Sequence, residues 1–175
     1  MITDADLACP FCSDCHKLRR HGKYHRWALF PDPQGDVLIP VQRFLCPETG
    51  KTLSLLPEFC IPRRQQGPAI LGLFLQALLL GAASLLCALR SVRRAAPGHS
   101  VAQSLLGGFL ARTTAIKGYL AFVRARAIEP PENTPAALLP LALLTAGICH
   151  GFSDTAAAYV HCGVGLHRLT GKSLA

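Results

Sequence analysis

Acidic residues are scarce in this chain of 175: 10 Asp and Glu stand against 18 Lys and Arg, a formal charge of +8. Beyond Glu58 only Glu129, Glu132 and Asp154 remain. A nuclease or transposase core needs converging carboxylates to hold its metal ions, so the sequence argues against one and the chain reads as a non-enzyme. A secretory leader is not expected either. The opening MITDADLACPFC has neither a basic n-region nor an apolar h-region, and a cytoplasmic, reducing setting is the expectation. Eight Cys in 175 residues fall below the density of a secreted disulfide scaffold. In a reducing setting, close Cys pairs point to metal before disulfide. Internal repeats and low-complexity runs are absent. What the chain has in quantity is apolar surface: half its residues are hydrophobic and its mean hydropathy is +0.31, too apolar for a disordered chain.

Composition divides the chain into three. Residues 1–66 are polar and Cys/His-rich, with nine Lys/Arg against seven Asp/Glu. Residues 67–128 hold seven Lys/Arg and no acid. Pro130, Pro131 and Pro135 then interrupt the chain, and 129–175 form an apolar, Cys/His-containing tail. The first part reads as short strands over Lys23–Phe30, Val37–Leu45 and Lys51–Leu55 around the turn cluster PDPQGD. Pro40 cannot donate to a ladder and argues for an edge or a bulge. From Ala69 the period changes to helical, with helices expected over Ala69–Leu80 and Ala83–Arg93. A third is expected from Val101 with Ser100 as its cap, and Gly107-Gly108 argues against its running unbroken. A last helix is expected over Ala136–Ile148. The fold class is therefore α+β: a three-stranded zinc-ribbon-like module, then a mainly helical one.

Cys9-Pro-Phe-Cys12 is a knuckle whose turn can aim two thiolates at one Zn²⁺. Cys46-Pro-Glu-Thr49-Gly50 follows the expected hairpin, where a zinc ribbon places its second knuckle. Thr49 stands where the fourth Cys would be, and a neutral hydroxyl is a poor zinc ligand. The expected set is Cys9, Cys12 and Cys46 with a fourth ligand from elsewhere. Cys15 completes the expected set; His16 is equally near, and His21 and His25 are more remote. A ribbon that has lost its metal and folds by packing alone is the alternative. Between the knuckles, His16 to Trp27 interleaves Arg19, Arg20, Lys23 and Arg26 with Tyr24 and Trp27. Such residues neutralise phosphates and stack on bases, or they form a solvated hairpin face with Trp27 in a small core.

Cys9-x-x-Cys12, His21-Gly22-x-Tyr24-x-Arg26, Val41-x-Arg43-Phe44-x-Cys46-Pro47, Gly50-Lys51-Thr52, Ser54-Leu55-Leu56-Pro57 and Pro62-Arg63-Arg64 occur in this order. The series resembles the N-terminal zinc-ribbon region of insertion-sequence transposases, and more closely the small proteins that carry this region without a catalytic core. The resemblance covers residues 9–66 well and 67–128 loosely. It implies a helix-turn-helix after the ribbon and binding to duplex DNA without catalysis, as a remnant, accessory or regulator. On that reading Ser100, Gln103, Ser104 and Arg112 face the major groove, since Gln pairs with adenine and Arg with guanine. Arg63, Arg64, Arg90, Arg93 and Arg94 then contact phosphates, and a second copy of the chain is a further candidate partner. Thr49 departs from the family pattern.

Two readings of other classes compete. Ala69–Leu89 is 21 residues with no charge and only Gln76 and Ser84 as polar side chains, long enough for a membrane helix; Gly81 near its middle and the lack of a Trp/Tyr belt argue against insertion. The ribbon could instead dock a protein partner. Cys149-His150 and His161-Cys162 form a symmetric pair but read as core and surface residues, with Asp154 starting a helix at TAAAYV.

Overall fold

The computed structural model describes residues 9–12, 16–81, 83–94, 98–122 and 139–170. The chain separates into two units. One holds the chain up to Trp27 together with Val37–Pro57; the other holds Ala28–Asp36 together with the chain from Glu58 onward. The turn 28–36 and the stretch 58–66, expected within the first module, thus belong to the second unit.

The first unit is built on a three-stranded sheet in the order β1-β2-β3: β1 Arg19–Ala28, β2 Val37–Leu45 and β3 Thr52–Ser54. β2 and β3 are antiparallel, with Arg43 opposite Ser54 and Leu45 opposite Thr52. β1 begins four residues earlier than the sequence suggests. Its first nine residues are polar or exposed, so no alternation betrays it. β2 has the expected bounds; Ile39 and Val41 are buried at strand spacing, and Phe44, three residues on, is buried out of that alternation. Pro40 is exposed on it. Leu18, Phe44 and Cys46 form a small core, lined by Cys9, Phe11, Cys12, Leu53 and Leu55.

The second unit is helical: α1 Pro68–Leu75, a π-helical turn Gln76–Leu80, α2 Leu85–Val92, α3 His99–Leu110, α4 Thr113–Phe122, α5 Leu139–Cys149 and α6 Thr155–Thr170. Pro68 opens α1 at its first turn, where a missing N–H costs nothing. The π turn is closed by the Gly81 N–H on the Gln76 carbonyl at 3.0 Å. Ser84 caps α2 by accepting from the Cys87 N–H at 3.4 Å. The apolar run 69–89 is therefore two separate helices, and no described helix is long and apolar enough to cross a membrane.

α3 starts one residue before Ser100, with Gly98 at its N-cap and no side-chain capping bond, so Ser100 lies in the first turn instead of capping it. Gly107-Gly108 does not interrupt α3, because Gly108 is buried against the core. The break comes at Ala111-Arg112, where the Arg112 guanidinium donates to the Gly108 carbonyl at 2.9 Å. Asp154 does start α6: its carboxylate accepts from the Ala156 N–H at 2.9 Å. The two C-terminal helices have no core of their own. Leu144, Ile148, Tyr159 and Leu166 share one apolar cluster with Ile70, Phe74, Leu89, Leu105 and Phe109. α1 lies along α6, and a Cβ on Gly72 would fall 2.5 Å from the Tyr159 ring, so glycine there permits the close approach.

Candidate metal centre and basic surface

The loop after β2 is folded around Cys46. Its N–H donates to the Lys51 carbonyl at 2.9 Å, and the Gly50 N–H returns to the Cys46 carbonyl at 2.9 Å. Gly50 has φ 67°, a left-handed conformation that glycine adopts without a Cβ penalty. The same turn brings the Thr49 N–H onto the Cys46 sulfur at 3.4 Å. Thr49 is exposed, and its hydroxyl accepts from the Lys51 N–H at 3.4 Å. Thr49 keeps the knuckle geometry by its backbone and supplies no ligand to the cluster.

Four side chains converge on this knuckle. The ligand atoms of Cys9, Cys12, His16 and Cys46 all lie within 4.8 Å of one another. The Cys12 sulfur is 3.5 Å from that of Cys9 and 3.8 Å from that of Cys46. His16 Nε2 is 3.4 Å from the Cys46 sulfur and 3.7 Å from the Cys12 sulfur. A tetrahedral ion with bonds of about 2.3 Å to sulfur and about 2.0–2.1 Å to nitrogen spaces its ligands about 3.8 Å (S to S) and about 3.6 Å (S to N) apart. The edges among Cys12, His16 and Cys46 and that from Cys9 to Cys12 are near those lengths, so the four residues could hold one metal ion. Cys46 is fully buried and the other three are partly so. Burial pushes the Cys46 thiol up, but hydrogen bonds from the Thr49 hydroxyl and backbone, from Cys9 and from the Glu48 backbone outweigh it, bringing the thiol from 9.0 to about 6. A thiol so disposed is readily a thiolate, the form that ligates.

The fourth corner is His16; Cys15, the expected fourth ligand, lies outside the described residues. His21 and His25 are exposed on β1 and do not belong to the cluster. Among the described residues this is the sole group of His, Cys, Asp and Glu with metal-binding proximity. In the tail, Cys162 is buried and Cys149 partly buried, while His150 and His161 are exposed. Burial raises the Cys162 thiol to about 12, which leaves it inert as a nucleophile.

The DNA contacts expected from sequence fall into distinct groups. Arg19, Arg20 and Lys23 are exposed on β1, with Tyr24 and Trp27 at 36% and 48% exposure; Arg26 is half-buried. Trp27 therefore does not fill the small core. On α3, Ser100, Gln103 and Ser104 are exposed, while Ala102, Leu105 and Phe109 face inward. Arg90 is exposed near the end of α2. Arg93 is a correction: its guanidinium grips the Asp36 carboxylate at 2.6 and 3.0 Å and the Phe30 carbonyl at 3.1 Å, so it holds the helical unit together instead of facing a phosphate. Arg94 has an exposed side chain, and its N–H is tied to Asp32 at 2.7 Å. Arg112 is spent on closing α3, as described above, and does not stand at that helix's N-terminal end. Arg64 donates to the Ser104 hydroxyl and carbonyl at 3.1 and 3.0 Å; Arg63 is exposed.

No protein-family model, no curated protein and no solved structure matches this chain.

Proposed function

We propose that the chain is a non-catalytic DNA-binding protein, related to the N-terminal regions of insertion-sequence transposases, whose β unit is stapled by zinc at Cys9, Cys12, His16 and Cys46. The observation that carries the reading is β1, a strand exposed along nearly its whole length that alternates cations with two solvent-facing aromatics. Ordinary sheets hide aromatics in the core; a row of Arg, Lys, Tyr and Trp turned to solvent suits a phosphate backbone and its bases. A three-Cys, one-His set is a closed structural ligand set for Zn²⁺ with no open position for chemistry. The exposed face of α3, with Ser100, Gln103 and Ser104, supports a helix laid in a major groove.

The test is binding to duplex DNA as salt is raised. Log affinity should fall linearly with log salt, and Arg19→Ala with Lys23→Ala should flatten that slope by about 0.9 for each phosphate no longer neutralised. Gln103→Ala should leave the slope in place and relax preference at one base pair, at roughly 1–3 kcal/mol. Purified protein should carry one Zn²⁺ per chain. Absence of duplex binding at low salt would overturn the proposal.

A further inference from the structure

The turn Ile61-Pro62-Arg63-Arg64 is closed by the Arg64 N–H on the Ile61 carbonyl at 3.2 Å. Its third residue, Arg63, has φ 64°, the one non-glycine residue in the left-handed region among those described. A turn of this kind favours Gly at that position, and an L side chain there is strained. The strained residue lines a surface depression of about 440 Å³ in the helical unit, together with Arg64, Gln66, Ser100 and Ser104. No carboxylate lines it. Arg64 is held in place from inside the depression by its two bonds to Ser104. A serine hydroxyl that accepts from a guanidinium still has a proton to donate. Burial and the nearby charge of Arg112 both lower the pKa of Arg64, which marks the place as locally positive. Two guanidiniums and two hydroxyls facing one concave, acid-free space are a donor set for a tetrahedral oxyanion.

We propose that this depression binds a phosphate group, gripped by Arg63 and Arg64 and by the Ser100 and Ser104 hydroxyls. The phosphate comes either from a nucleic-acid backbone or from a small free phosphate. The depression is separate from β1, and a phosphate there gives the strained backbone of Arg63 a purpose: glycine would suit the turn better and leave the depression without its exposed cation.

Two variants of the full chain separate binding from folding. Arg63→Gly relieves the left-handed strain, so its melting temperature should hold or rise by roughly 1–4 °C. Ser100→Asp puts a carboxylate in the first turn of α3, where it favours the helix dipole. Titration of inorganic phosphate, followed by the backbone amide resonances of Ser100 and Val101, should saturate in the unaltered protein. Each variant should weaken it about 10-fold or more, the loss of a charge-assisted bond, without loss of melting temperature. Displacement of the phosphate by a short duplex would identify the nucleic-acid backbone as its source; saturable binding that duplex leaves untouched would identify a free phosphate. Both outcomes support the pocket. Phosphate shifts that never saturate, or that both variants retain, would overturn it. Duplex binding that survives in both variants with no phosphate response would overturn the pocket and leave the β1 reading standing.

Discussion

The two units of this chain differ in how much apolar surface they bury. The β unit buries Leu18, Ile39, Val41, Phe44 and Cys46, and Cys46 with Cys9, Cys12 and His16 forms a cluster that could hold a metal ion. The helical unit buries a continuous cluster that runs from Ile61 to Leu166. Each large apolar side chain fully buried contributes roughly 1.5–3 kcal/mol. The helical unit buries more than a dozen such side chains and the β unit only a few, so apolar burial contributes far less to the sheet. Small scaffolds meet such a shortfall with a staple, and Cys9, Cys12, His16 and Cys46 are placed where one metal ion could supply it. The difference teaches that apolar burial is spread unevenly along one chain, and that the cluster able to hold a metal lies in the half that buries less.

Metal removal should drive the two units furthest apart. Structural zinc is worth roughly 10–16 kcal/mol in comparable small domains. Chelation, or Cys46→Ser, should collapse the β unit while the helical ellipticity near 222 nm persists. A metal-free protein with its sheet amides still protected from exchange would sink the coordination account. Next in size is Phe74→Ala in the helical core, where a large cavity costs about 3–5 kcal/mol. Denaturant unfolding should report that loss with the metal content unchanged. A loss of metal in step with the helices would mean that the units are energetically one.

A smaller effect is expected from the opposite change in volume. Gly72→Ala forces a methyl onto the Tyr159 ring, and overpacking of this sort costs typically 1–3 kcal/mol. Thermal melting should fall for Gly72→Ala but stay put for Gly107→Ala, where nothing stands within 4 Å of the added carbon. The smallest effect concerns acid. The hydrogen bond from Arg93 holds the Asp36 carboxyl below its usual 3.8, with burial opposing it. A carboxylate depressed in the folded state adds stability above its unfolded pKa and loses it as pH falls through the folded one. Between about pH 4 and the folded value, the unaltered protein should therefore lose slightly more stability than Asp36→Asn does. The pair is partly solvated, with the Asp36 side chain at 32% exposure, so the difference should stay under about 1 kcal/mol. Identical acid profiles would mean that the pair is only geometric.

Legibility from sequence follows the same divide. β2 is readable to the residue because β-branched and apolar residues run through VLIPVQRFL directly after the turn cluster PDPQGD. The start of β1 is not, since a strand exposed on nearly every residue has no period to read. The three cysteines of the metal cluster are visible from their knuckles. The fourth corner is ambiguous in sequence, because Cys15 and His16 are adjacent and both are ligand types, so spacing alone does not choose between them. In the helices, Gly107-Gly108 looks like a break by propensity, yet burial of Gly108 overrides propensity. The break near Gly81 between two helices is legible from that glycine, whereas the π turn at Gln76–Leu80 leaves no mark in hydropathy and falls inside what reads as the first helix. Arg93 shows the limit of charge counting: an arginine in an acid-poor stretch finds its partner at Asp36, 57 positions earlier.

The packing of α1 on α6 has a consequence for the life of the chain before it is complete. The face of α1 that covers Gly72 finds Tyr159 only after about 80 further residues have been made. At roughly 5–20 residues per second of synthesis, this apolar stretch stands without α6 for roughly 4–16 seconds. Folding of this protein is thus a race between its own last helix and whatever else binds hydrophobic nascent chain. Chains halted before Thr155 should accumulate on chaperones or in aggregates, and those that run past Leu166 should escape. The helical cluster is closed late, by the arrival of α6, although the α1 face that it covers is made early.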